Sequence, residues 1–239
     1  MNPSETFLAS GSPDWTSPAY LDAYSRINGM VIVGEGIADR HFRLLADAIP
    51  EDREELHRLA AMEGRHAKDF VSCGRNLGVK ADVGLAKRLF DPLHQLFLER
   101  NSRGDLPSCL VIQGLVVECF ALAAYGLYLP VADSYAARIT SAVIGDEGEH
   151  LCYAETWLSQ RFQSVEAEVA AVTKRALPLT TAILKVLWPD LQAIGMVPEE
   201  LLASFASLFQ QALERVGFEA PAARRLLASA AARSITQFN

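Results

Sequence analysis

Ile144-Gly145-Asp146-Glu147-Gly148-Glu149-His150 contains the motif Glu-x-x-His. The same motif occurs far upstream, where Glu63 precedes His66 by three positions. On an α-helix this spacing leaves two side chains about 60° apart around the axis and about 4.5 Å apart along it, so a carboxylate and an imidazole can close on one metal ion. A single match is weak evidence, because exposed helical pairs of this kind are common.

Two further carboxylates each stand alone in an apolar run. Glu35 follows the run MVIVG at residues 30–34, and Glu118 lies between LVV at residues 115–117 and the pair Cys119 and Phe120. A charged carboxylate taken out of water must be paired, bind a metal or be neutralised by protonation. Two such glutamates beside two Glu-x-x-His pairs indicate a buried metal site.

These residues fall into two similar helical hairpins. A comparable length of chain separates Glu35 from Glu63 and Glu118 from Glu147. Four glutamates and two histidines from four helices form the ligand set of ferritin-like bundles with two iron or two manganese ions. The sequence therefore predicts an all-α, ferritin-like bundle whose metal ligands are Glu35, Glu63, His66, Glu118, Glu147 and His150.

The composition is that of a folded, acidic protein. Of the 239 residues, 50% are hydrophobic and 21% are charged, which excludes a disordered or collagen-like chain. The net charge of -7 disfavours a nucleic-acid-binding protein, which usually needs a basic face. We expect one domain over residues 1–239, with additional C-terminal helices after the bundle and a loose segment at residues 1–16.

Two features bear on the cellular compartment. No targeting segment is recognisable in residues 1–17, and the four cysteines lack metal-type spacing, which predicts reduced thiols in a cytoplasmic protein. Residues 109–131 are apolar enough to imitate a membrane span, with Glu118 as their only charge. Because a carboxylate is costly at mid-membrane, a core helix is the better interpretation and no transmembrane segment is expected.

Capping residues and prolines divide the chain into helices. The order of these signals predicts helices over about residues 17–48, 51–75, 82–101, 107–130 and 133–162. Residues 199–216 should form an amphipathic helix. Breaks, kinks or boundaries are expected at Pro92, Pro178, Pro189 and Pro198.

Three histidines lie outside the Glu-x-x-His motifs. His41, His57 and His94 each occur in a polar stretch of a predicted helix. We expect them at the surface and not among the metal ligands.

Several longer motifs lie outside the predicted metal ligands. They are DAYSRIN at residues 22–28, SCGRNLG at 72–78, CLVIQ at 109–113, ECF at 118–120, AY at 124–125, YLPVAD at 128–133 and ERVGF at 214–218. With these motifs the chain resembles the cyanobacterial aldehyde-deformylating oxygenases, also called aldehyde decarbonylases, over nearly its whole length. This combination is far more specific than two short Glu-x-x-His matches.

The resemblance implies a ferritin-like fold that holds two iron ions through the six residues named above. Enzymes of this family cleave a carbon–carbon bond, converting long-chain fatty aldehydes to alkanes or alkenes one carbon shorter plus formate. They use O₂ as co-substrate and four electrons, commonly from ferredoxin. They usually act beside an acyl-carrier-protein reductase, so the expected partners are a fatty aldehyde, a ferredoxin-type donor and that reductase.

Other residues near the predicted ligands are candidates for supporting roles. Asp146 is either a hydrogen-bond acceptor for a ligand histidine or an ordinary surface acid. Tyr125 returns to the metal-facing side of its helix, or is a core tyrosine with a satisfied hydroxyl. Gln113 is either a buried partner near the site or a helix-packing residue. Gly114 and Leu122, one turn before and after a ligand, are expected to line a substrate channel.

The second Glu-x-x-His pair departs from the family pattern. Gly148 replaces the usual tyrosine of Asp-Glu-Tyr-x-His, and Gly145 replaces an arginine or lysine. Each glycine costs about 1 kcal/mol relative to alanine inside a helix, so this ligand-bearing turn is expected to be soft. The alternative is that the glycines make close helix contacts that a larger side chain would disrupt.

Two other functions stay open at this point. One is a different ferritin-like di-iron oxidase or hydroxylase, and the other is iron storage without enzymatic activity. Storage depends on a hollow shell of many subunits, whereas a deformylase needs an apolar channel. The apolar fourth helix favours the oxygenase.

Overall fold

Several helices begin where the sequence places a capping side chain. Ser17 Oγ accepts a hydrogen bond from the backbone N–H of Tyr20, and a proline follows Ser17 in the first turn. Asp82, Asp105 and Asp133 accept backbone N–H groups at three later helix starts in the same way. These caps satisfy N–H groups that the first turn of a helix leaves unpaired.

The computed structural model describes residues 12–236, and no β-strand occurs among them. The predicted all-α fold is confirmed. This part of the chain contains nine α-helices, joined in places by short 3₁₀ or π segments: α1 Pro18–Ala48, α2 Arg53–Asn76, α3 Val83–Ser102, α4 Leu106–Leu110, α5 Glu118–Tyr128, α6 Ser134–Ser159, α7 Phe162–Ala193, α8 Pro198–Val216 and α9 Ala220–Thr236. The segment at residues 1–16, expected to be loose, lies mostly outside the described residues.

The helix boundary predicted at Pro189 is wrong, and neither Pro92 nor Pro178 divides a helix. Helix α3 continues through Pro92, and α7 continues through both Pro178 and Pro189 to end at Ala193. Only Pro198 marks a boundary, as the first residue of α8. Tertiary packing outweighs the local cost here, since α7 buries residues along its whole length against the rest of the bundle.

The most apolar part of the chain forms the centre of the bundle. Helices α4 and α5 are joined by a π-helical segment, Val111–Val117, into one helical stretch, Leu106–Val131. This stretch is long and apolar enough to cross a membrane, but 67% of its most apolar window is buried inside the protein. It is therefore a core helix, as predicted from the presence of Glu118 near its centre.

The remaining helices surround this central stretch. Helix α1 packs along α2 and α3, α6 and α8 pack on α5, and α7 packs against α1, the π segment and α9. Buried side chains from all these helices join in one apolar core. Because α1, α2, α5 and α6 are neighbours around that core, residues far apart in sequence can meet at its middle.

Candidate metal centre

The six predicted ligands lie together in the middle of the bundle. Glu35 comes from α1, Glu63 and His66 from α2, Glu118 from the first position of α5, and Glu147 and His150 from α6. All six are buried, with exposed fractions between 0% and 5%. The helical spacing of three places each glutamate and histidine of a pair on the same inward face.

The cluster divides into two groups around its two imidazoles. His66 Nδ1 lies 3.3 Å from Glu35 Oε2, 3.5 Å from Glu63 Oε2 and 3.3 Å from Glu147 Oε1. His150 Nδ1 lies 3.0 Å from Glu63 Oε1, 3.2 Å from Glu147 Oε2 and 3.8 Å from Glu118 Oε2. Glu63 and Glu147 thus belong to both groups, while the other four residues belong to one group each.

Several atoms of the cluster are buried without a hydrogen bond. Glu63 Oε1, His66 Nδ1 and Glu147 Oε1 have no hydrogen-bond partner among the described residues. Buried polar atoms are normally paired, so this arrangement is costly for the protein alone. The nitrogen and oxygen atoms of the cluster lie close to one another without the geometry of hydrogen bonds, as atoms that coordinate a metal do. These residues could therefore hold metal ions.

The charges of the cluster support the same interpretation. Burial raises the pKa of the Glu63 carboxyl, and repulsion from Glu147 raises it further. Burial also raises the pKa of Glu118. Burial opposes protonation of His66, but the closeness of the surrounding carboxylates raises its pKa overall. Four buried carboxylates therefore compete for few protons, and divalent cations would relieve their repulsion.

Three of the predicted supporting residues contact ligand side chains. Asp146 Oδ2 lies 2.9 Å from His66 Nε2, so it can accept that N–H while Nδ1 faces the carboxylates. Tyr125 donates its hydroxyl proton to Glu35 Oε1, and burial raises the pKa of Tyr125, keeping the hydroxyl protonated. Gln113 Nε2 donates to Glu118 Oε1 at 2.8 Å.

An apolar cavity opens directly beside the carboxylates. Its walls come from α1, α3, α5 and α7, with Glu35, Glu63, Glu118 and Glu147 at one side. A second apolar cavity shares six of these lining residues and continues towards the end of α1 where Tyr24 lies. The shared residues are Met30, Val31, Phe120, Ala124, Tyr125 and Leu187.

Gly114 and Leu122, which are expected to line a substrate channel, are not among the residues that line this cavity. A Cβ built on Gly114 would lie 2.2 Å from the Cβ of Ala154, so Gly114 permits α6 to approach closely. Leu122 is partly buried against the apolar core. Gly114 lies in the π segment, where the number of residues per turn differs from that of a regular α-helix.

The predicted surface positions are correct for His57 and wrong for His41. His57 is exposed, whereas His41 is 1% exposed and stacks on Phe97 with ring centroids 3.6 Å apart. His94 is half-buried and contacts His41. A sequence signal for His41 existed, because it lies three residues after Ala38 and four before Leu45 on the buried stripe of α1.

The fold and the buried cluster together define a ferritin-like helical-bundle protein whose core residues could hold metal ions. Comparison with known families agrees: the model of the long-chain fatty aldehyde decarbonylase family matches residues 17–232. The chain therefore belongs to that family, and the resemblance seen in the sequence is confirmed.

A solved structure supports this assignment. It is described as protein 19 with aldehyde deformylating oxidase activity from Synechococcus, and it is 63% identical to this chain with a TM-score of 0.89. The match covers 90% of this chain and 99% of the Synechococcus chain. The two proteins therefore share their fold over almost their full lengths.

Proposed function

We propose that the protein is a di-iron oxygenase that converts long-chain fatty aldehydes to alkanes or alkenes one carbon shorter plus formate, with O₂ as co-substrate. The observation that carries this proposal is the apolar cavity that ends on a buried cluster of four glutamates and two histidines. Membership of the aldehyde decarbonylase family supports the same substrate class.

The cavity suits the alkyl chain of the substrate. Its lining is largely apolar, with side chains such as Phe90, Leu93 and Ile183 along it, and its charged groups are the carboxylates at one side. Burying each methylene of an alkyl chain contributes about 0.8 kcal/mol, so a long chain binds far more tightly than a short one. The side of the cavity that carries the carboxylates receives the aldehyde group, which places the reacting carbon beside the proposed metal ligands.

The donor set suits iron. Carboxylate oxygens and imidazole nitrogens are ligands for iron and manganese, and the ferritin-like arrangement holds two such ions. In the proposed site Glu35 and His66 would help to hold one ion and Glu118 and His150 the other, while Glu63 and Glu147 are common to both groups. When bound, the two irons supply the binding of O₂ and the electron transfer that its reduction requires.

Neighbouring side chains fix the orientation of the ligands. Asp146 accepts the Nε2–H of His66 and so keeps Nδ1 free to coordinate. Tyr125 and Gln113 donate hydrogen bonds to Glu35 and Glu118, which leaves the second oxygen of each carboxylate towards the centre. The apolar walls exclude water from the reacting carbon.

The reaction needs electrons from outside the protein. One aldehyde, one O₂, four electrons and four protons give one alkane, one formic acid and one water, so atoms and charges balance. We propose a ferredoxin-type protein as the electron donor and an acyl-carrier-protein reductase as the source of the aldehyde, both as partners of a cytoplasmic enzyme.

Anaerobic loading with Fe²⁺, followed by O₂, a chemical reductant and a long-chain aldehyde, tests the proposal. We expect an alkane one carbon shorter and formate in equal amounts. A hydroxylated aldehyde or a fatty acid as the main product would instead indicate a different di-iron oxidase. Iron uptake without any organic product would indicate storage.

A further inference from the structure

A row of hydrogen bonds connects the metal centre to the protein surface. It begins at Glu118 Oε1, 2.8 Å from Gln113 Nε2, and continues from Gln113 Oε1 to His41 Nδ1 at 2.7 Å. His41 Nε2 lies 2.8 Å from His94 Nδ1, and His94 Nε2 lies 3.5 Å from Arg40 Nη1. The row passes from α5 through the π segment to α1 and α3.

We propose that His41 and His94 are positioning residues for the metal centre: they fix the orientation of the Gln113 amide and, through it, the Glu118 carboxylate. This inference rests on the proposed function in one respect, since it takes Glu118 to be a metal ligand. Nothing in the Glu-x-x-His pattern or in the cavity requires these two histidines.

Both ends of the row allow only one direction of donation. An ionised Glu118 can only accept, so the Gln113 amide must present its NH₂ group to it and its oxygen to His41. The Arg40 guanidinium can only donate, so His94 Nε2 must accept. Between these ends, His41 must carry its proton on Nδ1 and accept at Nε2, and His94 must carry its proton on Nδ1.

The surroundings of His41 keep it in that state. Burial, which outweighs its hydrogen bond to Gln113, lowers the pKa of His41 to about 3, so the imidazole is neutral and has a single N–H at ordinary pH. Its ring stacks on Phe97 at an interplanar angle of 9°, and its edge meets His94 through the hydrogen bond between the two rings. A neutral imidazole with one N–H, packed in this way, favours one orientation of the Gln113 amide.

The location of Gln113 explains why this support matters. Gln113 lies within the π segment Val111–Val117, which directly precedes Glu118. If the amide turned over, its oxygen would face the Glu118 carboxylate, and two acceptors would be buried against each other. The donor hydrogen bond from His41 prevents that rotation, and the donor hydrogen bond from His94 prevents His41 from moving its proton to Nε2.

Two matched pairs of variants test the inference. His41→Leu and His94→Leu remove the donors, whereas His41→Asn and His94→Asn keep an N–H near the position of Nδ1. His57→Leu removes an exposed histidine and serves as the control. Because His94 is only half-buried, its variants should fold even if those of His41 do not.

The first measurement is the tautomer of His41 by ¹⁵N NMR of histidine-labelled full-length protein, before and after loading with Zn²⁺. We expect the proton on Nδ1 in the native protein and a loss of this preference in His94→Leu, restored in His94→Asn. A native His41 with its proton on Nε2 would overturn the proposal, as would an unchanged tautomer in His94→Leu.

The second measurement is the affinity for Co²⁺, which is monitored through the absorption spectrum of the bound ion. His41→Leu should weaken binding by about tenfold, the lower end of the range for residues that hold a ligand in place. His94→Leu should weaken it less, and both asparagine variants should restore it. Unchanged affinity in both leucine variants contradicts the proposal. If the native protein binds no Co²⁺, the proposed di-iron function fails, while the tautomer of His41 still decides this inference.

Discussion

The two helical hairpins carry the same proposed ligands but support them differently. In the first hairpin, His66 Nε2 has Asp146 as an acceptor and Glu35 receives the hydroxyl of Tyr125. In the second, His150 Nε2 has no hydrogen-bond partner among the described residues. A repeated ligand pattern in the sequence therefore does not imply a repeated supporting structure.

The backbone around the proposed ligands also differs between the two hairpins. Glu63 lies inside the regular helix α2, whereas Glu118 follows a π segment and Glu147 lies between two glycines on α6. No described side chain lies within 4 Å of a Cβ built at Gly145 or Gly148, so these glycines do not serve close packing.

Glycines also flank a ligand of the first hairpin, where Gly34 and Gly36 adjoin Glu35, but a π segment precedes a ligand only in the second hairpin of the described chain. From this difference we predict that the second hairpin is the more deformable half of the centre.

The largest expected effect comes from removing a ligand of either hairpin. Glu35→Ala and Glu118→Ala should each abolish product formation, because each leaves one metal ion without a terminal carboxylate. The fold should persist, since packing of the bundle supplies most of its stability. Product analysis and circular dichroism check both points, and an active Glu118→Ala variant would remove the second hairpin from the proposed site.

A smaller effect is expected from Asp146→Leu. Loss of the acceptor for His66 Nε2 should weaken metal binding by about 10- to 100-fold, mainly at the ion held by His66. Glu149→Leu is the matched control, because Glu149 lies on the same turn but pairs with Arg58 instead of a ligand. Metal titrations monitored by isothermal titration calorimetry distinguish the two variants. Equal losses of metal affinity in both variants would contradict a specific role for Asp146.

Gly114→Ala should change stability and not substrate choice. The added methyl group would clash with Ala154, which should lower the free energy of unfolding by about 1–3 kcal/mol. Gly126→Ala on α5 is the control, since no described atom lies within 4 Å of a Cβ there. Denaturant unfolding tests the difference. A loss of activity confined to long aldehydes in Gly114→Ala would return Gly114 to the channel wall.

The smallest expected effects come from replacing one glycine in each of the two hairpins. Gly148→Ala and Gly64→Ala should each raise the free energy of unfolding by about 1 kcal/mol, since neither position is crowded. Only Gly148→Ala should also slow the loss of iron to a chelator, because it stiffens the more deformable hairpin. Equal chelation rates for both variants would show that the two hairpins hold metal equally firmly.

Much of this molecule follows from local sequence signals, and the rest depends on tertiary contacts. The bounds of α1 follow from its cap, and the pairing of each histidine with a glutamate follows from Glu-x-x-His spacing, because both act within a few residues. Glu35 and Glu118 are predicted in the same site because each is a lone acid in an apolar run. The π segment and the continuation of α7 through two prolines depend on packing between helices. The polar contacts of His41 are not visible in its local sequence, because Gln113 and His94 lie on other elements of the bundle.

Anomalous diffraction at the iron edge from crystals loaded with Fe²⁺ would locate the metal ions directly. We expect two iron peaks, one among Glu35, Glu63, His66 and Glu147 and the other among Glu63, Glu118, Glu147 and His150. The second peak should have the lower occupancy after brief chelation, because its hairpin is the more deformable. A single peak, or iron bound to other residues, would contradict the proposed centre.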